Sequence, residues 1–491
     1  MIVSPVENEL LLKSATQLAK EIREKKITSK QVIQAYVNRL KEVNPTINCV
    51  AENYSEKALK SAEAVDEEIR NANDEQLQKF ATEKPLLGVP FTCKDMCEIE
   101  GTTTTFGAWK MRNNVSTRTD SMIKLYMDAG AICLAKTVVP EMCMWLGSNN
   151  AIHGVTNNPY DSRRNSGGSS SGEGAIIAAA ASVIGLGSDI GGSIRIPSTM
   201  NGIYGLKTSP GSFPIDGGFG NPAEETFGIF GPMGRYVEDL ETIMKCYKDT
   251  KARPATDFSV KEILVPSDYS LPWVPRISSE MREANKNVVD FLLQEFNLPS
   301  SGTIDFNPAR KDFMNNFLAV FNNFAQRNKK PELTMKGLFY MADGPFNTLT
   351  ELPKWLLGRS HHSLASCFQI TQLDRSYTEE QLDMYMKKLD DLRAHYDHLL
   401  STDKVIVQPG WPSVADWHYA EISHLNFAYT GVVNYLGLPS IVCPVGLNDD
   451  GLPLAIQIIG PRHSDFHLLE IAKKVHSKFG GWREPGSHEK A

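Results

Sequence analysis

The sequence predicts an α/β fold built on a largely buried sheet, and three observations carry that expectation. Short apolar runs that read as strands, "LLGVPFTCKD" (86–95), "AICLAKT" (131–137) and "ASVIGLGSD" (181–189), alternate with helix-like segments at 120–128 and 172–181. Further strand-like runs follow at 261–265, 404–408, 438–445 and 453–459, with a closing helix at about 465–478. One uncharged run, Gly174 to Ser188, is rich in Ala and Gly and has the length of a buried helix entering a strand, not of a membrane span.

The elements justify themselves in chain order. The first eighty residues read as helices. Ser14 and Gln17 have capping-box spacing before "ATQLAKEI", and Thr28 and Gln31 repeat it before Val32, Ile33, Tyr36, Val37 and Leu40, which recur at helical spacing. Asn44-Pro45 is expected to stop that second helix. A third, about Glu56 to Ile69, places Ala58, Leu59, Ala62 and Val65 on one face. Residues 85–250 hold the first strands and the small-residue motifs. Residues 270–400 are expected to be mostly helical, with Phe313, Met314, Phe317, Leu318, Val320, Phe321 and Phe324 making a broad apolar face and a second greasy stretch at 336–358. That face reads either as core helix or as the wall of a cavity for an apolar substrate, a rim able to rest on a membrane surface. Residues 401–491 supply the last strands and helix. No internal repeat or interdomain linker breaks the chain, so one large domain is expected.

Composition narrows the function. A net charge of −7 from 51 basic and 58 acidic residues gives no basic stripe, which argues against nucleic acid as a partner. The apolar and charged fractions, 41% and 22%, are those of a soluble globular protein. Eight scattered cysteines form no disulfide framework or zinc-finger spacing, so reduced thiols and no metal are expected. The short acidic opening is not a signal peptide, and no apolar run of about 20 residues exists to span a bilayer.

The chemistry concentrates in "SGGSSSGEG" (166–174) and "GSDIGGSIRIPS" (187–198). Glycine lets backbone approach a reacting group, and serine supplies an oxygen that can attack or relay a proton. Ser193 follows Gly191 and Gly192 at the end of an expected strand. The amides of Ile190, Gly191, Gly192 and Ser193 could converge there on a developing oxyanion. The competing reading is a tight turn with a capping serine. A serine nucleophile needs a base. His153 is nearest in sequence but has no orienting carboxylate. Lys94, at the end of "GVPFTCK" among apolar and thiol side chains, is the better candidate, because burial lowers a lysine pKa toward neutrality. One of Ser169, Ser170 and Ser171 would relay the proton between them; spacing alone does not choose. Neither a phosphate-binding loop nor a complete dinucleotide fingerprint is present.

The run "GGSSSGEGAIIAAAASVIGLGSDIGGSIRIPSTMNGIYGLKTSPG" (167–211), with "GVPFTCKD", "GPM" at 231–233 and 426–461, resembles the amidase signature family of serine hydrolases over essentially the whole chain. The text around 11–48, "CMWLGSNN" and the ending "FGGWREP" is similar, within that family, to fatty-acid amide hydrolases of the second animal type. The resemblance implies a central twisted mixed sheet covered on both faces by helices in a single large domain. It implies Ser193 as nucleophile, Lys94 as base and acid, and Ser169 as bridging serine, held by an unusual cis peptide bond. It assigns Ile190 to Ser193 to the oxyanion hole, Ser170, Asp189 and Arg195 to supporting positions, and the backbone of Cys143 to ligand contact. Ser171 stands where many members have glycine. The expected reaction is hydrolysis of long-chain fatty-acid amides, with esters as further substrates, needing neither metal nor organic cofactor. Small xenobiotic amides or esters, or glutamine in a tRNA-dependent amidotransferase, are the alternatives. A lipid amide is the expected small-molecule partner, with peripheral membrane contact and a homodimer left open; the expected location is cytoplasmic or peripheral to a membrane.

Overall fold

A computed structural model describes residues 1–216, 227–267, 276–343, 346–370, 373, 375–420 and 427–487. Other residues of the stretches named above, among them 270–275, 344–345 and 426, lie outside the described residues.

The strands are β1 (Val50–Asn53), β2 (Pro90–Lys94), β3 (Ile132–Thr137), β4 (Asn149–Asn150), β5 (Gly154–Val155), β6 (Ile184–Asp189), β7 (Tyr204–Lys207), β8 (Ile229–Gly234), β9 (Glu262–Pro266), β10 (Gly302–Ile304), β11 (Lys404–Pro409), β12 (Ser440–Leu447) and β13 (Pro453–Ile459). Among the described residues, β4 and β5 make a small hairpin, and the other eleven form one mixed sheet in the order β1-β3-β2-β6-β8-β7-β12-β13-β11-β9-β10. β2 runs parallel to β3 and β6, each crossover supplied by a helix, Ser121–Asp128 and then Ser171–Ala178. β6, β8, β7, β12, β13 and β11 are antiparallel in succession. β9 is parallel to β11 and β10. Helices cover both faces, so β2 and β8 are buried at every residue, which is why β2 reads as a continuous apolar run rather than an alternating one.

The N-terminal helices follow their caps. Thr28 and Gln31 make a complete capping box for the helix Ser29–Ile47. At Ser14 only half of the box forms: its hydroxyl accepts from the Gln17 amide, while the Gln17 side chain turns to Glu21. Asn44-Pro45 does not stop the second helix, which continues to Ile47. Pro45 falls in its last turn, where a missing N–H costs a single bond, and Asn48 in the left-handed region makes the actual end.

Among the described residues of 279–400 there are seven α-helices and a short 3-10 helix, Pro331–Leu333, with β10 following the first α-helix. In the helix Phe313–Arg327, Phe313, Phe317, Leu318, Val320 and Phe321 are buried; Phe317 and Phe321 also line cavities, so the helix is core and cavity wall at once. In the greasy stretch after it, Leu349, Leu356 and Leu357 are exposed. None of the eight cysteines is in a disulfide. Among the described residues no helix is long and apolar enough to cross a membrane, and no cluster of His, Cys, Asp or Glu could hold a metal ion.

Candidate active site

Two parallel neighbours, β2 and β6, end side by side, and the site forms beyond their carboxyl ends, where open α/β sheets place their ligands. Lys94 is the last residue of β2. Its Nζ, fully buried, lies 2.6 Å from Ser169 Oγ and 2.9 Å from Ser188 Oγ. Burial pushes the Lys94 amine below its ordinary range; Cys143, Cys97, Asp189 and Glu173 oppose the shift without cancelling it. Ser169 follows a cis Gly168–Ser169 peptide, as the family likeness implies.

Ser193 lines the same cavity as Lys94 and Ser169, so the structure brings the three expected residues together. The Ser170 N–H donates to the Ser193 carbonyl at 3.2 Å, and the Ser170 hydroxyl to the Ser188 carbonyl at 3.4 Å, which fixes one serine loop against the other. The Ser171 hydroxyl is buried without a partner among the described residues. His153 lies away from this cavity.

The loop from Asp189 to Arg195 wraps around a carboxylate. Asp189 accepts from the amides of Gly192 at 2.8 Å, Ile194 at 3.1 Å and Arg195 at 3.4 Å, and from the Arg195 guanidinium at 3.0 Å on each oxygen. Burial alone would raise this carboxyl; the Arg195 charge and its hydrogen bonds hold it well below the usual carboxylate range. One expectation is corrected here: the Gly192 amide faces Asp189, not the cavity. Among the described residues the amides of Ile190, Gly191 and Ser193 donate to nothing, and these three residues line cavity space. The carboxylate itself explains the split, since it draws the Gly192, Ile194 and Arg195 N–H groups to its own side of the loop. Both glycines are sterically required. A Cβ on Gly191 would stand 2.8 Å from the Phe427 ring, and one on Gly192, whose φ is +128°, 2.4 Å from Thr430 Oγ1.

Several positioning residues escaped the sequence reading. Thr430 Oγ1 donates to the Gly191 carbonyl at 2.5 Å, and its own carbonyl accepts from Arg195 at 2.9 Å. Asn434 bonds Arg195 at 2.5 Å and Asp189 at 2.9 Å. Both sit in the helix Ala428–Tyr435, whose "AYTGVVNY" looks like plain core. Ser188, inside the quoted motif, had no role assigned although its place just before Asp189 puts it at the strand's open end. Glu173 of "SGEG" is structural: it accepts from Thr92 at 2.9 Å and Thr137 at 2.8 Å, tying β2 to β3, and burial raises its pKa strongly.

Cys143 lies in a turn after β3 where it and Met142 both have φ of +55°. It borders the first cavity and a second, as do Ser193 and Met335, so Ser193 stands where the two meet. Trp145, Leu146, Met314, Phe317, Leu373 and Phe427 make the second cavity largely apolar.

Fold and site together describe a hydrolase whose serine-rich loops are seated at the end of a mixed sheet. Residues 31–469 match the Amidase family model, and the chain belongs to that family, whose members hydrolyse amide bonds. It is 36% identical over 505 residues to fatty-acid amide hydrolase 2-A of Danio rerio, covering 98% of this chain and 91% of the relative, and 36% identical over 494 residues to fatty-acid amide hydrolase 2 of Homo sapiens, covering 98% and 92%. A solved fatty acid amide hydrolase superposes with a TM-score of 0.75 over 98% of this chain and 87% of its own; at 24% identity that likeness speaks for the fold.

Proposed function

We propose that this chain hydrolyses long-chain fatty-acid amides through an acyl-enzyme on Ser193. The observation that carries the reading is a buried, downshifted Lys94 amine in hydrogen-bond contact with Ser169, in a cavity shared with Ser193. The Ser193 hydroxyl attacks the substrate carbonyl carbon; its proton passes to Ser169 Oγ as the Ser169 proton passes to neutral Lys94. The carbonyl oxygen becomes an oxyanion held by the amides of Ile190, Gly191 and Ser193. Collapse breaks the carbon–nitrogen bond, and Lys94 returns the proton through Ser169 to the leaving amine. Water then follows the same route, releasing the acid and restoring Ser193.

The acyl class is supported by two apolar cavities meeting at Ser193 and by the two 36% identical relatives, both fatty-acid amide hydrolases. Glutamine, polar at both ends, has little to gain from walls of Met, Leu and Phe. The test is labelling of the full chain with a fluorophosphonate, competed by amides of graded acyl length. Adduct mass on Ser193, with competition strengthening as the acyl chain lengthens, supports the reading. An adduct elsewhere with Ser193 unmodified removes the nucleophile, and flat competition removes the long-chain substrate.

A further inference from the structure

The turn after β3 opens with Glu141, a carboxylate only 2% exposed. Among the described residues, the three hydrogen bonds of this carboxylate all go to one short piece of the helical region. Oε1 pairs with His362 Nδ1 at 2.6 Å, and Oε2 accepts from the Ser363 N–H and the Ser366 hydroxyl, each at 2.7 Å. A carboxylate only accepts, so the proton in the first pair sits on His362 Nδ1.

The two ends of this tie are both cavity walls. Met142 and Cys143 follow Glu141 directly and line the first cavity together with Ser193. Ser363 caps the helix Leu364–Gln369, and Gln369 with Leu373 beyond it closes part of the second cavity. A helix of six residues cannot hold itself in place, because so short a helix barely outlives its nucleation cost. Its position therefore depends on its surroundings: Ala365 and Cys367 are buried, Thr348 bonds the Cys367 carbonyl, and the Glu141 carboxylate grips the first turn through the Ser363 amide and the Ser366 hydroxyl.

We propose that Glu141 is a positioning residue that sets acyl-length specificity, by fixing the wall of the second cavity relative to the turn beside Ser193. The inference rests on the amide-hydrolase reading above. Glu141 itself touches no substrate. Without its carboxylate, three buried donors lose their acceptor and the wall made by the helix Leu364–Gln369 and Leu373 is released, while Lys94, Ser169 and the Asp189 loop keep every bond they have. A chain reaching into the second cavity should feel this, and a short one confined to the first should not.

The experiment measures, on the full chain, rates of Ser193 labelling by short- and long-alkyl fluorophosphonates, together with amide turnover across an acyl ladder. Glu141→Ala should lower the long-over-short preference about tenfold, the effect of losing one charge-assisted buried contact, and leave the short-probe rate nearly unchanged. Glu141→Gln should restore most of the preference, because its amide oxygen still accepts from Ser363 and Ser366. Ser366→Ala, which removes one of the three bonds, should lose part of it and serves if Glu141→Ala does not fold. Equal slowing at every chain length, or a preference that survives in all the folded variants, overturns the role of Glu141 while leaving hydrolysis standing. A wild-type chain unlabelled at Ser193 overturns the functional reading, and this inference with it.

Discussion

Lys94 Nζ lies 2.6 Å from Ser169 Oγ, inside a protein wall that leaves the amine no access to solvent. Desolvation is what makes this contact useful, because a protonated amine has no lone pair with which to take the Ser169 proton. The nearby thiols and carboxylates favour the ammonium, yet burial outweighs them. The same pocket therefore lowers the cost of neutral Lys94 before reaction and stabilises the ammonium transiently once the proton arrives.

A pH dependence follows with a definite sign. Raising the pH deprotonates Lys94, so kcat/KM for an amide should rise with pH and level off at a midpoint below the ordinary lysine value of about 10.4. The pH–rate profile of the wild-type chain checks this. A midpoint at or above the ordinary value, or activity that falls as pH rises through the neutral range, would detach Lys94 from the reaction.

Removing either partner of the contact should slow acylation while leaving the fold. Lys94→Ala and Ser169→Ala should each cost about 10²–10⁴ in amide turnover, the usual worth of a positioned proton-transfer group. Their combination should cost little more than the worse single change, because the two act in one relay. Additive losses in a double-mutant cycle would mean separate roles.

The parts of this architecture that local pattern dictates were legible, and those that act over distance were not. β2, β3, β6, β12 and β13 announce themselves as apolar runs between turns. β8 hides because "IFGPMG" carries two glycines and a proline, a turn composition that only its neighbours β6 and β7 force into extended form. β1 and β10, four and three residues long, are too short for any periodicity to show. At the site, Lys94, Ser169 and Ser193 stand out because their surroundings are unusual in composition. Thr430 and Asn434 do not, since they act from the far end of the chain through backbone carbonyls and the Asp189–Arg195 pair. Gly192 misled for a related reason: sequence places an amide near the site but not the carboxylate that turns it away.

That buried pair makes its own prediction. Asp189 and Arg195 are both fully buried, and losing one charge strands the other, so Arg195→Leu should destabilise the chain by about 3–5 kcal/mol. Because the Asp189 carboxyl is held below its unfolded value, its stabilising contribution is full above about pH 4 and is lost only as pH falls through the lowered folded value. Denaturant unfolding of wild type and variant at neutral and acid pH measures both. A variant as stable as wild type at neutral pH would show that the pair organises nothing.

Gly191 tests the oxyanion donors without touching a titratable group. A Cβ there would meet two carbons of the Phe427 ring at 2.8 and 2.9 Å, closer than real contacts allow, so Gly191→Ala must move the ring or the loop. Phe427 is held edge-on by Phe313 and Phe317, with ring centroids 5.3 and 5.2 Å away, which leaves the loop as the part that gives. The Gly191 amide then withdraws from the position of the carbonyl oxygen, and kcat should fall about 10²-fold, the effect of removing one such donor, with a smaller change in KM. Overpacking should cost about 1–3 kcal/mol of stability, little enough for a chain of this size to remain folded. If Gly191→Ala keeps wild-type kcat in a folded protein, the oxyanion is held by Ile190 and Ser193 alone. If instead KM rises with kcat intact, the ring has yielded into the second cavity, and the loop around Asp189 is stiffer than the aromatic cluster beside it.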